Sequence, residues 1–321
     1  MSKNFISLAA GMAMIGGVAM SDTPKVAVDI SPVHSLVSRV MHGVGTPDLI
    51  VQAGASPHGY TLRPSEAKAL QDAQMVFWMG ESLSPWMEGA LDTLSRDATI
   101  ITLLERDETI LLEFREGALF EEHDHDDHGD EKHDDHGDEK HDDHDDHGHG
   151  SYDPHAWLSP DNARIWLNLI ASQLSIVDPE NAGTYFANAA AGRLEIEALK
   201  AEVNSLLEPI RGKKFIVFHD AYQYFEEAFK ISASGAISLG DASKPSPARI
   251  AEIQGRIEEE SIDCVLSEPQ FNKGLVATVM AGSNANTNVI DPLGVGLKPG
   301  PNLYNELIRD MTKTLVDCFE S

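Results

Sequence analysis

The chain has 321 residues, with 52 acidic side chains against 24 basic ones and a formal net charge of −28. Such a balance excludes nucleic acid as a partner and disfavours an anionic membrane surface. The length is too great for one ordinary compact domain and suits two. The acidity is uneven: residues 121–149 hold 15 Asp/Glu against two Lys, and the remainder carries a charge ordinary for a soluble protein.

The N-terminus reads as a secretory signal, residues 1–21. Lys3 gives a weakly positive start, residues 5–20 are apolar, and Ala19-Met20-Ser21 supplies the small residues a signal peptidase reads. The alternative, a buried first helix, is opposed by the charged, Pro-containing Ser21-Asp22-Thr23-Pro24. The stretch is short for a membrane span, and no other segment approaches ~20 apolar residues. No Cys lies near the cleavage site, which argues against a lipid anchor. The expected mature protein is soluble and exported, to the periplasm of a Gram-negative bacterium.

Next come a Val-rich strand at 25–30 and a helix opened by Pro32 that runs to about 42. A short strand at 48–51 leads to the loop Gly54-Ala55-Ser56-Pro57-His58-Gly59. Pro64 starts a helix. Residues 75–78 read as a buried strand, 85–94 as a helix and 99–103 as a strand, a βα alternation that predicts a mostly parallel sheet.

From 121 to 150 the apolar periodicity stops. The octapeptide Asp-Asp-His-Gly-Asp-Glu-Lys-His occurs at 126–133 and again at 134–141. This low-complexity segment is expected to be disordered without metal. Its nine histidines, His123, His125, His128, His133, His136, His141, His144, His147 and His149, are interleaved with Asp and Glu. They offer many weak, exchangeable metal sites whose capacity falls as the medium acidifies. The plainer alternative is a solvated acidic tract.

Order is expected to resume at 152. Helices follow at 161–176 and from 178 to about 207, the second ~45 Å long for ~30 residues. Strands are expected at 213–218, 236–239, 263–266 and 288–290, with helices at 221–229, 247–260, 273–281 and 303–319. The predicted fold is therefore α/β: two lobes, each a mostly parallel sheet flanked by helices, joined by one long rigid helix. The N-terminal lobe takes residues 22–177, including the loop at 121–150. The linking helix takes 178–208 and the C-terminal lobe 209–321. Cys264 and Cys318 are the two cysteines; in an exported protein they suggest one disulfide, the alternative being two buried thiols. A loop that long gives about 4 kcal/mol of stabilisation in the chain-entropy model.

Outside the acidic tract there are five histidines: His34, His42, His58, His155 and His219. Three share a setting at a strand end or in a loop with turn chemistry: Ser56-Pro57-His58-Gly59, Asp153-Pro154-His155 and Phe218-His219-Asp220. In α/β sheets ligands gather beyond the carboxyl ends of strands. Three imidazoles plus one oxygen form a normal Zn²⁺ set, whereas manganese or calcium would recruit more carboxylate. Asp291 is a candidate fourth ligand, with turn chemistry before Pro292 as its other reading and a water as the other candidate ligand. Glu268, in Ser267-Glu268-Pro269-Gln270, could orient a ligand from behind. His34 reads as a packing or surface residue and His42 as a helix-end residue.

Five motifs then carry a resemblance. They are Gly54-Ala55-Ser56-Pro57-His58, Asp153-Pro154-His155-Ala156-Trp157-Leu158, Phe218-His219-Asp220-Ala221-Tyr222, Glu268-Pro269-Gln270-Phe271 and Ile290-Asp291-Pro292-Leu293-Gly294. Together, and in order along the mature chain, they resemble the metal-binding receptors of bacterial ABC importers, the ZnuA-type zinc-uptake branch most closely. The resemblance implies two lobes with the metal between them and His58, His155 and His219 as ligands. Manganese-type members tend to carry a carboxylate where His219 stands, which favours zinc. Asp291 matches a carboxylate that completes the site in some members. The Glu that precedes the first His in some zinc receptors is Pro57 here, leaving Asp291 or water. The cysteine pair matches a disulfide of this branch, and the charged His loop is a hallmark of it.

The implied function is zinc capture in the periplasm and delivery to an inner-membrane ABC permease, without catalysis. The protein would act as a monomer, with a periplasmic zinc chaperone as a possible further partner. Two alternatives remain at this stage. A secreted zinc hydrolase would use an open position on a His₃ site to activate water, although the chain has no His-Glu-x-x-His motif. A stand-alone periplasmic buffer or metallochaperone would need no transporter. Manganese is the alternative metal.

Overall fold

The computed structural model describes residues 23–115, 120, 152–238, 245–270 and 273–321. The expected signal segment and the His-rich loop, with its nine candidate histidines, lie outside the described residues.

The first sheet contains β1 (Val26–Val28), β2 (Asp48–Leu49), β3 (Met75–Trp78) and β4 (Thr99–Thr102), all parallel, in the order β2-β1-β3-β4. Parallel neighbours need long crossovers. Here these contain α1 (Ser31–Val40), α2 (Pro64–Asp72) and α3 (Pro85–Leu94). Two helices follow, α4 (Pro160–Val177) and α5 (Ala182–Leu207), separated by a 3₁₀ turn at Pro179–Asn181. The second sheet repeats the pattern with β5 (Phe215–His219), β6 (Ala236–Ser238), β7 (Cys264–Ser267) and β8 (Asn286–Val289), parallel and ordered β6-β5-β7-β8. Its helices are α6 (Gln223–Phe229), α7 (Pro247–Glu259), α8 (Lys273–Val279) and α9 (Leu303–Glu320).

Local chemistry explains the starts. Pro32, Pro64, Pro85, Pro160 and Pro247 each sit in the first turn of a helix, where a missing N–H costs nothing and the fixed φ fits. The central strands β1, β3 and β5 are buried along their whole length, as expected for parallel strands covered on both faces.

α5 is the long helix, about 39 Å at 1.5 Å per residue. It buries Tyr185, Ala189, Gly192, Ile196, Leu199, Val203 and Leu207, a stripe at spacings of three and four. Gly192 is where neighbouring elements come closest. A Cβ there would lie 3.0 Å from Leu167 Cδ1 of α4 and 3.2 Å from Arg39 Cγ of α1. One apolar core runs from Val28 and Phe77 through Trp166 and Tyr185 to Phe215, Cys264 and Leu315. The two lobes therefore share a packed spine. α9 strengthens it: Cys318 is disulfide-bonded to Cys264 on β7, and Tyr304 bonds through its N–H to Ser35 Oγ (2.9 Å) and through its hydroxyl to the Trp157 carbonyl (3.0 Å).

The strand order makes β1/β3 and β5/β7 the places where successive crossovers leave in opposite directions, the usual ligand crevice of such sheets. At β1/β3 the fully buried Asp29 bridges the two strand ends. Its carboxylate accepts the Ile30 N–H (2.8 Å) and the Met79 N–H (2.7 Å). Burial pushes this carboxyl up to about 7, against the pull of the N–H bonds.

Candidate metal centre

His219 is the last residue of β5, and Glu268 directly follows β7, so both stand at the second crevice. The His219 Nδ1–H donates to Glu268 Oε1 at 2.7 Å, with both residues buried. Histidine carries one proton when neutral, so this bond fixes the tautomer and leaves the Nε2 lone pair facing away from Glu268.

His155 is held in the same way. Asp153, two residues before it, accepts both the His155 backbone N–H (2.9 Å) and Nδ1–H (2.7 Å) on Oδ1. A 3₁₀ turn at Ala156–Leu158 follows and buries Trp157, whose indole N–H donates to the Pro292 carbonyl (2.9 Å). The outward nitrogens of the two rings meet: His155 Nε2 lies 3.4 Å from His219 Nε2.

His58 comes from the loop after β2 and is half-buried. Gly54 opens that loop with φ +86°, a left-handed conformation glycine adopts without strain. The His58 N–H donates to Ser56 Oγ (3.2 Å). The Pro57 carbonyl accepts from both Ser84 Oγ (3.2 Å) and Trp86 Nε1 (2.7 Å), which pins the loop to the start of α3. The His58 ring centroid stands 5.4 Å from that of His155 and 6.4 Å from that of His219.

One nitrogen from each of these three imidazoles lies within 4.8 Å of the others. Among the described residues this is the one grouping of metal-capable side chains so arranged. The rings line a partly open cavity of about 20 Å³, walled by Trp157, Leu293 and Gln270 among others. That volume suits one ion or one water.

Asp291 is not in the three-nitrogen group. Its carboxylate accepts main-chain N–H groups from Leu293 and Gly294 (3.0 Å each) and from Val295, making the turn that carries Pro292 and Leu293 to the cavity wall. The Tyr222 hydroxyl is buried near Glu268 and Asp291; burial first, and then those two charges, push its ionisation far up. His34 packs inside the first lobe, with Nε2 on the Pro47 carbonyl (3.0 Å), and His42 is exposed just beyond α1.

Three further residues are not evident from the sequence. Asp153 is one, although its Asp-x-His spacing is a usable signal. Arg115 is the second. It pairs with Asp220, next to His219, and with Glu226 on α6 (2.8 Å), all three largely buried. Beside it the Tyr224 hydroxyl accepts the Leu112 N–H (2.9 Å) and donates to the Asp153 carbonyl (2.9 Å). Arg115 thus ties the segment before the acidic tract to the chain around His219. Gln270, on the cavity wall, is the third.

Residues 26–318 match the sequence family described as the periplasmic zinc-uptake complex component A, and the chain belongs to that family. It is 44% identical over 330 residues to the high-affinity zinc uptake system protein ZnuA of Brucella abortus (strain 2308), covering 98% of this chain and 99% of that protein. In fold it resembles a crystal structure of ZnuA, with a TM-score of 0.74 at 21% identity over 92% of this chain and 99% of the other. It is equally similar to FpvC of Pseudomonas aeruginosa, solved in complex with Mn²⁺, with a TM-score of 0.74 at 19% identity over 93% and 99% of the two chains.

Proposed function

We propose that this protein captures Zn²⁺ between its lobes and delivers it to the permease of an ABC importer, as its family membership supports. His58, His155 and His219 are the protein ligands in this reading. The carrying observation is the pair of Nε2 atoms 3.4 Å apart, each opposed by a buried carboxylate on Nδ1. Two nitrogens at 2.0–2.1 Å from a tetrahedral zinc are separated by about 3.3 Å. The spacing therefore already fits the ion. With Asp291 engaged by the main chain, we assign the fourth position to water.

The setting we infer is periplasmic, with residues 1–21 removed on export, the acidic loop as a weak zinc reservoir, and a periplasmic chaperone as a further partner. Residues 178–208 link lobes at 22–177 and 209–321. A hydrolase reading is disfavoured by the small volume of the cavity, about 20 Å³. The test is competitive titration of the mature protein with zinc and manganese side by side. One tight zinc site, lost in H155A, is the expected result. Tighter binding of manganese, or turnover of ester or peptide substrates that chelators abolish, would refute this reading.

A further inference from the structure

We propose that Gln270 holds the water molecule at the fourth coordination position of the bound ion. This rests on the three-histidine reading above. Gln270 stands two residues beyond Glu268 and lines the same cavity as the three imidazoles. Its side-chain Oε1 and Nε2 are both buried, and neither has a hydrogen-bond partner. Buried polar groups are paired almost without exception, so an unpaired amide facing a ligand cavity calls for a partner that arrives with the ligand.

The remaining chemistry narrows that partner to water. A metal-bound water must place its hydrogens on acceptors, and much of the wall is apolar: Pro57, Trp157, Pro292 and Leu293. Of the nearby carboxylates, Asp153, whose Oδ2 is also unpaired, and Asp291 are not on the cavity wall. Glu268 Oε1 takes the His219 Nδ1–H, Asp153 Oδ1 takes two N–H groups of His155, and Asp291 takes three from its own turn. Among the described residues of the wall, Gln270 carries the side-chain polar atoms that are buried and unpaired. A glutamine also suits a water that gives up a proton, since turning the amide presents an N–H donor to the hydroxide instead. Gln270 is thus a positioning residue: it acts on the ion through the water.

The experiment compares the mature full-length protein with Q270L, which removes both polar atoms, and Q270E, which keeps the shape and supplies a carboxylate able to ligate. Zinc affinity is measured by competition with a chromophoric chelator. The fourth ligand is read from ¹⁷O couplings in electron–nuclear double resonance of the Co²⁺-loaded proteins in H₂¹⁷O. The wild type should show an exchangeable ¹⁷O coupling. Q270L should bind zinc about 10–100-fold more weakly, with that coupling shifted or lost. Q270E should lose the coupling and hold zinc at least as tightly as the wild type. A wild type without ¹⁷O coupling overturns the proposal, as does a Q270L protein matching the wild type in both measurements. Should Q270L fail to fold, wild-type ¹⁷O coupling in Q270E overturns it. Tight zinc binding that survives H219A sinks the three-histidine reading and this proposal with it, an outcome separable from failure of Gln270 alone.

Discussion

The two sheets share one strand order, yet their crevices are put to opposite use. At β1/β3 a carboxylate, Asp29, takes main-chain N–H groups from both strand ends and closes the gap. At β5/β7 a carboxylate, Glu268, takes a side-chain N–H from His219, and the ring's other nitrogen is turned outward to a cavity. Topology supplies the crevice in both cases. What the carboxylate is bonded to decides whether the crevice becomes a staple or a candidate site. This also explains why the three imidazoles converge beside the second sheet and none stands at the first crevice, although His34 lies only one turn into α1.

Substitutions can break this comparison. The largest effect is expected for H219A, which should weaken zinc binding by more than about 1000-fold, or about 4 kcal/mol, in a chelator competition. A loss under tenfold would mean that the second crevice is not the site. R115M comes next. It strands the buried Asp220 and Glu226 carboxylates and should lower the unfolding free energy of the metal-free protein by about 3 kcal/mol in urea. Unchanged stability would show that the segment before the acidic tract is not anchored there. E268Q and D153N should each cost about 10–100-fold in zinc affinity while leaving the fold intact, because an amide no longer enforces the Nδ1–H tautomer.

The smallest effect tests the staple. The folded-state carboxyl of Asp29 is raised to about 7, so the unfolded chain gives up this proton at lower pH than the folded chain does. Its stabilisation is complete below about pH 4 and is lost as pH rises through 7. Metal-free wild type should therefore lose stability between pH 5 and about 7.5 relative to D29N, whose zinc affinity should remain within about twofold of wild type. Equal pH profiles would show that Asp29 is ionised in the fold throughout.

The parts of the fold legible in the sequence are those with strong local signals. β3 and α3 occupy the residues expected, since an all-apolar run and a Pro start leave little choice. The edge strand β8 begins two residues before its expected start because Asn-Thr-Asn-Val carries no apolar run to mark it. α6 begins two residues later than expected because the Ala221 N–H turns back to the His219 carbonyl (2.9 Å). At the site, the histidines stand out by their turn settings. Asp291 could be read either as a ligand or as a turn former from its Asp-Pro pair; the N–H bonds it accepts are turn chemistry. Arg115 has no local signature, because its partners lie 105 and 111 positions along the chain and only packing brings them together.

The 3.4 Å separation of the two Nε2 atoms has an energetic consequence. With both Nδ1 protons committed to carboxylates, both Nε2 lone pairs are turned toward one small cavity. In the proposed reading, a cation between them would turn this proximity of two acceptors into two bonds. Part of the affinity proposed for the site would then be prepared when the chain folds rather than generated when the ion binds. Foldedness and capture are therefore set against each other at this point. A sequence optimised for empty-state stability would replace one of these rings, and in doing so would lose its grip on the ion.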